Sequence, residues 1–186
     1  MAARLTKEGT PMSTEGTDLA RYIRDIPDWP KTGILFRDIT PLLADPTAFP
    51  AAVEALGQPF REAGIEYVVA VEARGFIFGA AVAAQLGAGF VPIRKKGKLP
   101  CATESASYEL EYGIDLIEMH RDGVPAGAKV LMVDDLLATG GTMKAACELV
   151  EKVGAEVVAI SFLIELSDLQ GRRQLASYDI HSVIVY

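Results

Sequence analysis

Val130-Leu131-Met132-Val133-Asp134-Asp135-Leu136-Leu137-Ala138-Thr139-Gly140-Gly141-Thr142 is the stretch whose reading decides the fold. An apolar run ends in two adjacent acids, and a short loop of small hydroxyl and glycine residues follows. Ala145, Ala146, Leu149 and Val150 then recur at helical spacing within 143–152. The pattern predicts strand, acidic edge, loop and helix in that order. Gly140 and Gly141 let the backbone turn tightly and approach a ligand. Thr139 and Thr142 supply hydroxyl donors, and the unpaired amides at the helix start suit a phosphate. Asp134 and Asp135 would repel that phosphate, but they can accept bonds from sugar hydroxyls or hold a hydrated cation. The expectation is a phosphorylated sugar with its phosphate in the loop and its ribose hydroxyls on the acids. An ordinary strand-to-helix turn is the plain alternative. Other nucleotide-binding loops fit worse: no lysine follows the glycines as a P-loop requires, and no Gly-x-Gly-x-x-Gly opens the helix.

Upstream, Tyr67-Val68-Val69-Ala70-Val71 reads as a buried strand and Glu72-Ala73-Arg74-Gly75 as a tight corner. Residues 76–86 read as an alanine-rich helix that Gly87 closes, and 90–94 as a second strand. Strand, helix, strand predicts a βαβ unit, hence an α/β fold with a mostly parallel, twisted central sheet flanked by helices. Downstream, 156–165 is a nearly all-apolar and therefore central strand, 167–176 a short helix, and 180–185 a last strand at an edge.

Arg94-Lys95-Lys96-Gly97-Lys98 is the basic cluster of an acidic chain. Such runs are often plain solvated surface. This one sits at the C-terminal end of a predicted parallel strand, where open α/β sheets bind ligands. Residues 99–107 lack periodicity and are expected to be mobile. Residues 108–113 and 114–120 alternate in character, predicting a hairpin-like flap around Gly113 that can close over a site.

Residues 1–16 form a polar leader in which Met12 is an alternative start. Thr17 is predicted to cap a helix from Asp18 to about Arg24 with the stripe Leu19, Tyr22, Ile23 and Ile26. Prolines and a glycine forbid a long helix over 26–41. That segment is either a hydrophobic plug or a base-binding hood in which Phe36 stacks on a flat ring and backbone amides read its edge. Residues 45–63 read as a helix weakened near its end by Gly57 and Pro59.

A chain of 186 residues, half of them hydrophobic, is long enough for one domain with a substantial core, placed at 17–186. The formal charge of −7 argues against a nucleic-acid binder while leaving room for a local basic site. Cys101 and Cys147 lie in unlike contexts, without metal-ligand spacing or a disulfide framework, so a reducing cytoplasm is the simplest compartment. No apolar run reaches the length of a membrane span, and the N-terminus lacks a signal-peptide core. No Ser-His-Asp or Cys-His set is evident, and neither His120 nor His181 receives a role.

Five ordered motifs carry a resemblance. They are Gly33-Ile34-Leu35-Phe36-Arg37-Asp38, Glu72-Ala73-Arg74-Gly75-Phe76-Ile77-Phe78-Gly79, residues 93–100, Ala106-Ser107-Tyr108-Glu109-Leu110-Glu111-Tyr112-Gly113, and 133–142 continuing through Leu149. From about Pro30 to the C-terminus the chain resembles the adenine phosphoribosyltransferase family, within the type I phosphoribosyltransferases. The resemblance implies transfer of the phosphoribosyl group of phosphoribosyl pyrophosphate to adenine, giving AMP and pyrophosphate, with Mg2+ held mainly by substrate and no dedicated protein ligands. It implies a homodimer, no nucleic-acid or membrane partner, a small hood over 17–41 and a flap over about 97–120.

Carried over by position, the resemblance gives 138–142 (Ala138, Thr139, Gly140, Gly141, Thr142) to the 5-phosphate and Asp134 and Asp135 to the ribose hydroxyls. Arg94, Lys95 and Lys98 meet pyrophosphate, and Arg74 lies near both base and pyrophosphate. The corner Glu72–Ala73 is the candidate for a non-proline cis bond. Phe36 and Leu163 match the two faces that sandwich adenine, Leu35 offers its backbone to the base edge, and Arg37 completes the adenine set. Glu111 matches the acid that relays the proton lost from adenine, and Tyr112 beside it could close over the substrates. Alternation puts Glu109 and Glu111 on one strand face, so the residues alone do not rank them. Two rivals remain. An oxopurine acceptor would need a donor reaching the ring carbonyl. A regulatory protein binding the phosphosugar as a signal would need a basic nucleic-acid face.

Overall fold

The computed structural model describes residues 18–110 and 113–186. The leader, Met12, Thr17, Glu111 and Tyr112 lie outside the described residues. Seven strands form one sheet: β3 (Tyr67–Val71), β4 (Gly89–Lys95), β5 (Thr103–Leu110), β6 (Gly113–His120), β7 (Lys129–Leu137), β8 (Glu156–Glu165) and β9 (Ile180–Val185). Their spatial order is β5-β6-β4-β3-β7-β8-β9. Pairs β3–β4, β3–β7, β7–β8 and β8–β9 are parallel, and only the β5–β6 hairpin and its seam with β4 run antiparallel. A separate antiparallel ribbon of β1 (Arg24–Pro27) and β2 (Leu35–Asp38) precedes them.

The helices are α1 (Thr40–Ala44), α2 (Ala48–Gly57), α3 (Gly75–Leu86) and α4 (Gly141–Lys152). They divide the core into two layers. On one face α4 and the hairpin bury Met132, Ile117, Met119, Leu149 and Phe162. On the other, α1, α2 and α3 cover Val68, Leu131, Val133 and Leu163. β7 and β8 are covered on both faces, which is why their sequences run apolar instead of alternating. None of the described helices is long and apolar enough to cross a membrane.

Several expectations change. The helix predicted from Asp18 is only a 3-10 turn over Leu19–Tyr22, and Arg24 onward is strand. The apolar stripe still packs, with Leu19 and Ile23 buried. One turn is too short to propagate as a helix, and the ladder to β2 plus the Arg24–Asp38 ion pair at 2.6 Å favours extended chain. The helix predicted over 45–63 begins at Ala48, where the Asp45 carboxylate accepts from the amides of Thr47 and Ala48 at 2.8 Å each. It ends at Gly57 and passes into a 3-10 turn. Helix α1 was not anticipated; the Asp38 carboxylate accepts the Thr40 amide at 2.9 Å at its start, and Pro41 occupies the first turn, where its missing amide costs nothing. The short helix expected over 167–176 is two 3-10 turns, Ser167–Leu169 and Gly171–Leu175. Residues 103–107, expected to be aperiodic and mobile, are the first half of β5, held by backbone pairing with β6 that a side-chain pattern cannot reveal.

Candidate functional site

The chain leaves β3 to one side of the sheet through α3 into β4, and leaves β7 to the other side through α4 into β8. The β3–β7 seam is therefore the point where the winding reverses, and the carboxyl ends of two such strands diverge to leave a crevice. A cavity of about 320 Å3 opens there, lined by 71–74, 134–143 and Phe162. The loop singled out in the sequence and the corner at Arg74 thus meet in one place.

Strand β7 does not stop before its acids but runs through both to Leu137. Asp134 Oδ1 accepts the Asp135 amide at 2.9 Å. Gly75, at the start of α3, approaches so closely that a Cβ there would lie 2.6 Å from Asp134 Oδ1. Arg74 Nε meets Asp135 Oδ2 at 2.9 Å, and its guanidinium also stands 5.4 Å from the Phe36 ring centroid. Burial, and then the charge of Asp135, push the Asp134 carboxyl well above its ordinary value. Burial raises Asp135 too, while Arg74 opposes the rise. Two adjacent carboxylates in a pocket wall and one guanidinium make a site rich in acceptors for hydroxyl groups. The peptide bond Glu72–Ala73 at this corner is cis.

The loop 138–142 turns at Gly140, whose φ of +86° belongs to the left-handed region. The first amides of α4 have no carbonyl of their own helix to pair with and face the cavity mouth. A residue that the sequence pattern did not single out holds this loop from behind. A Cβ on Gly171 would lie 2.3 Å from the carbonyl oxygen of Ala138, and one on Gly140 would lie 2.6 Å from the Gly171 oxygen. Leu166 donates its amide to Leu137 at 2.9 Å. Arg172 anchors the segment by a bidentate pair with Glu165 at 2.7 Å on each side. Gly-Arg after a strand carries no local signal for this task, because the partner lies some thirty residues earlier.

Behind the Glu72 wall of the cavity the basic residues are gathered by carboxylates. Glu72 accepts the Lys95 amide at 2.6 Å, Arg94 Nη2 at 3.2 Å and Lys98 Nζ at 3.1 Å. Burial alone would raise the Glu72 carboxyl; these bonds outweigh it and hold it below the ordinary 4.5. Lys95 Nζ meets Asp115 at 2.9 Å. Buried Glu118 accepts the Gly97 amide at 3.0 Å, tying the basic turn to the hairpin.

The hood positions distribute unevenly. Phe36 is half-buried and stacks edge-on against Trp29 at 4.4 Å between centroids. Leu35 is exposed. The Arg37 guanidinium is taken by Asp25 and by the Tyr186 ring 3.7 Å beneath it, so only its backbone is disposable. Leu163 is fully buried on the hood side of β8, while its neighbour Phe162 lines the cavity from the other side. Cys147 is core, its thiol pushed up to about 12 by burial.

Comparison with known proteins agrees with this geometry. The family model described as phosphoribosyl transferase domain matches residues 42–184. Adenine phosphoribosyltransferase of Halothermothrix orenii is 54% identical over 167 residues, spanning 90% of this chain and 98% of that one. The crystal structure of adenine phosphoribosyltransferase from Thermoanaerobacter pseudethanolicus superimposes with a TM-score of 0.89 at 50% identity, covering 94% of this chain and 100% of that one. The Saccharomyces cerevisiae enzyme, complexed with an imino-altritol bisphosphate and adenine, gives 0.85 at 42% identity over 89% of this chain and 96% of that one.

Proposed function

We infer that this chain, which belongs to the adenine phosphoribosyltransferase family, transfers the 5-phosphoribosyl group from phosphoribosyl pyrophosphate to adenine, giving AMP and pyrophosphate. The observation that carries the reading is the crevice that joins a phosphate-sized loop to two acids, with a basic turn tied to its wall through Glu72. The 5-phosphate sits on 138–142 and the α4 amides, and the ribose hydroxyls donate to Asp134 and Asp135. Arg94, Lys95 and Lys98, with Arg74, offset charge on the departing pyrophosphate. Adenine stacks on Phe36 and reads the Leu35 backbone, whose strand has no ladder partner on its second edge among the described sheets, and Leu163, fully buried on that side of β8, forms the second face once its cover opens.

As the C1′–oxygen bond breaks, its electron pair leaves with pyrophosphate. The new bond forms between C1′ and a ring nitrogen of adenine, and the nitrogen's proton passes to the carboxylate of Glu111, with Glu109 as its competitor. Tyr112 closes over the pair. The protein's share is positioning and charge compensation, without covalent attack.

Among the described residues no group of three or more His, Cys, Asp or Glu side chains could hold a metal, and Asp135 is committed to Arg74. In this reading Mg2+ arrives on the substrate's own oxygens, where it would supply charge neutralisation. A cytoplasmic homodimer belongs to the same reading. The unpaired state of Cys101 and Cys147 fits a reducing compartment, and exposed Ile77 on α3 offers apolar surface. No nucleic-acid partner is expected of a chain with charge −7.

The test is pyrophosphate release from phosphoribosyl pyrophosphate and Mg2+ in parallel with adenine, hypoxanthine, guanine and orotate. Turnover with adenine alone is expected, and Glu111→Gln then lowers kcat about 100-fold with little change in KM. Turnover with an oxopurine instead would keep the phosphosugar site and sink the hood assignment. Tight binding of the phosphosugar without turnover would favour a regulatory role.

A further inference from the structure

The three cations assigned to the leaving group are not held alike. Arg94 and Lys98 share Glu72, a nearly buried carboxylate that also takes a backbone amide, so this cluster is a fixed part of the corner. Lys95 instead points its ammonium at Asp115, a residue of the hairpin. The seam between β4 and β6 pairs Arg94 with Glu118 and Lys95 with Ile117, and ends where the Lys96 amide donates to the Leu116 carbonyl at 3.0 Å, so Asp115 stands just beyond the last backbone contact. It is nonetheless fixed there independently of Lys95: the Leu116 amide donates to Oδ1 at 2.9 Å and the Tyr108 hydroxyl to Oδ2 at 3.2 Å. The Lys95 side chain is half exposed and faces solvent as well as the carboxylate.

From this geometry we propose that Asp115 is a positioning residue that acts through Lys95: it is an internal anion standing where pyrophosphate draws on the same ammonium, so the two compete. A lysine charge already matched by a carboxylate gives less to a second anion. Asp115 thus weakens the hold of the site on free pyrophosphate and eases its release. Pairing with Asp115 strengthens the ammonium of Lys95, and the same contact lowers the carboxyl of Asp115, as a mutual ion pair requires. The proposal rests on the reading of Arg94, Lys95 and Lys98 as the pyrophosphate segment.

The experiment measures product inhibition by pyrophosphate in the forward reaction with Mg2+, for the full chain and for Asp115→Asn, Asp115→Glu, Lys95→Gln and the double variant Lys95→Gln/Asp115→Asn. Asp115→Asn is expected to lower the inhibition constant about threefold, in line with a partly exposed ion pair. KM for the phosphosugar should fall in step while KM for adenine stays constant, a split that loosened structure does not produce. Asp115→Glu restores the original constant, and Asp115→Asn has no further effect once Lys95 is Gln. An unchanged or raised constant in Asp115→Asn, with Lys95→Gln weakening inhibition, overturns this proposal and leaves the pyrophosphate segment standing. If Lys95→Gln leaves inhibition untouched, the assignment of that segment fails, and the proposal with it.

Discussion

At one end of the crevice the loop 138–142 is held by close packing. Gly140 and Gly171 leave no room for a methyl group between their backbones, β7 is buried on both faces, and Arg172 locks the supporting segment to Glu165. At the other end Arg94, Lys95 and Lys98 are held by carboxylates, and the cationic side chains of the pairs are 36% to 56% exposed. Packing fixes position to within tenths of an ångström and is indifferent to salt. Ion pairs at a surface exchange partners readily and are screened. The end assigned to a group retained through the reaction is rigid, and the end assigned to the group that leaves is exchangeable.

The largest effect expected from breaking this contrast is at Gly171. Gly171→Ala places a methyl 2.3 Å from the Ala138 oxygen, and because the obstacle is backbone the loop itself must move. Its kcat/KM for phosphoribosyl pyrophosphate should fall about 100-fold, since displacement of a binding group by about 1 Å costs that much. Stability should fall by roughly 2 kcal/mol, read by denaturant melts. Retained activity would show that the loop is softer than its packing indicates.

A smaller and oppositely signed effect on stability is expected at Asp134. A carboxyl raised above its ordinary 3.8 costs stability as pH climbs from that value through its folded value, because the unfolded chain gives up the proton more easily. Asp134→Asn removes that cost and keeps an acceptor for the Asp135 amide. It should raise Tm at neutral pH while lowering kcat/KM about 100-fold, an activity loss that melts and steady-state kinetics separate.

The smallest effect belongs to the exchangeable end. Glu72 is held below its ordinary 4.5, so its contribution is present above that value and is lost as pH falls through the folded value. Glu165, lowered chiefly by its bond to Arg172, behaves alike at the rigid end. In Glu72→Gln the acid limb of the stability profile should flatten, and KM for the phosphosugar should rise a few-fold as Arg94 and Lys98 lose the group that holds them, with a steeper dependence on salt because one anion fewer offsets the cluster. A KM whose salt dependence does not change would place the steering charge elsewhere.

The sequence by itself determined the strand, diacid, loop and helix at 130–152, the βαβ unit around Arg74, and the kind of ligand these suit. Each of those depends on residues close together in the chain, where periodicity and turn chemistry act directly. The antiparallel hairpin of β5 and β6 was legible as a segment. The 3-10 turn at Leu19–Tyr22 and the first half of β5 were not, because a ladder partner outweighs weak local preference. Only the tertiary structure decided that Gly171 shapes the phosphate loop, that Glu72 collects Arg94 and Lys98 while Asp115 takes Lys95, and that Arg37 is spent on Asp25 and Tyr186. These are contacts between elements distant in sequence. Their geometry is set by which strands become neighbours and by what room the packing leaves, and no local pattern records either.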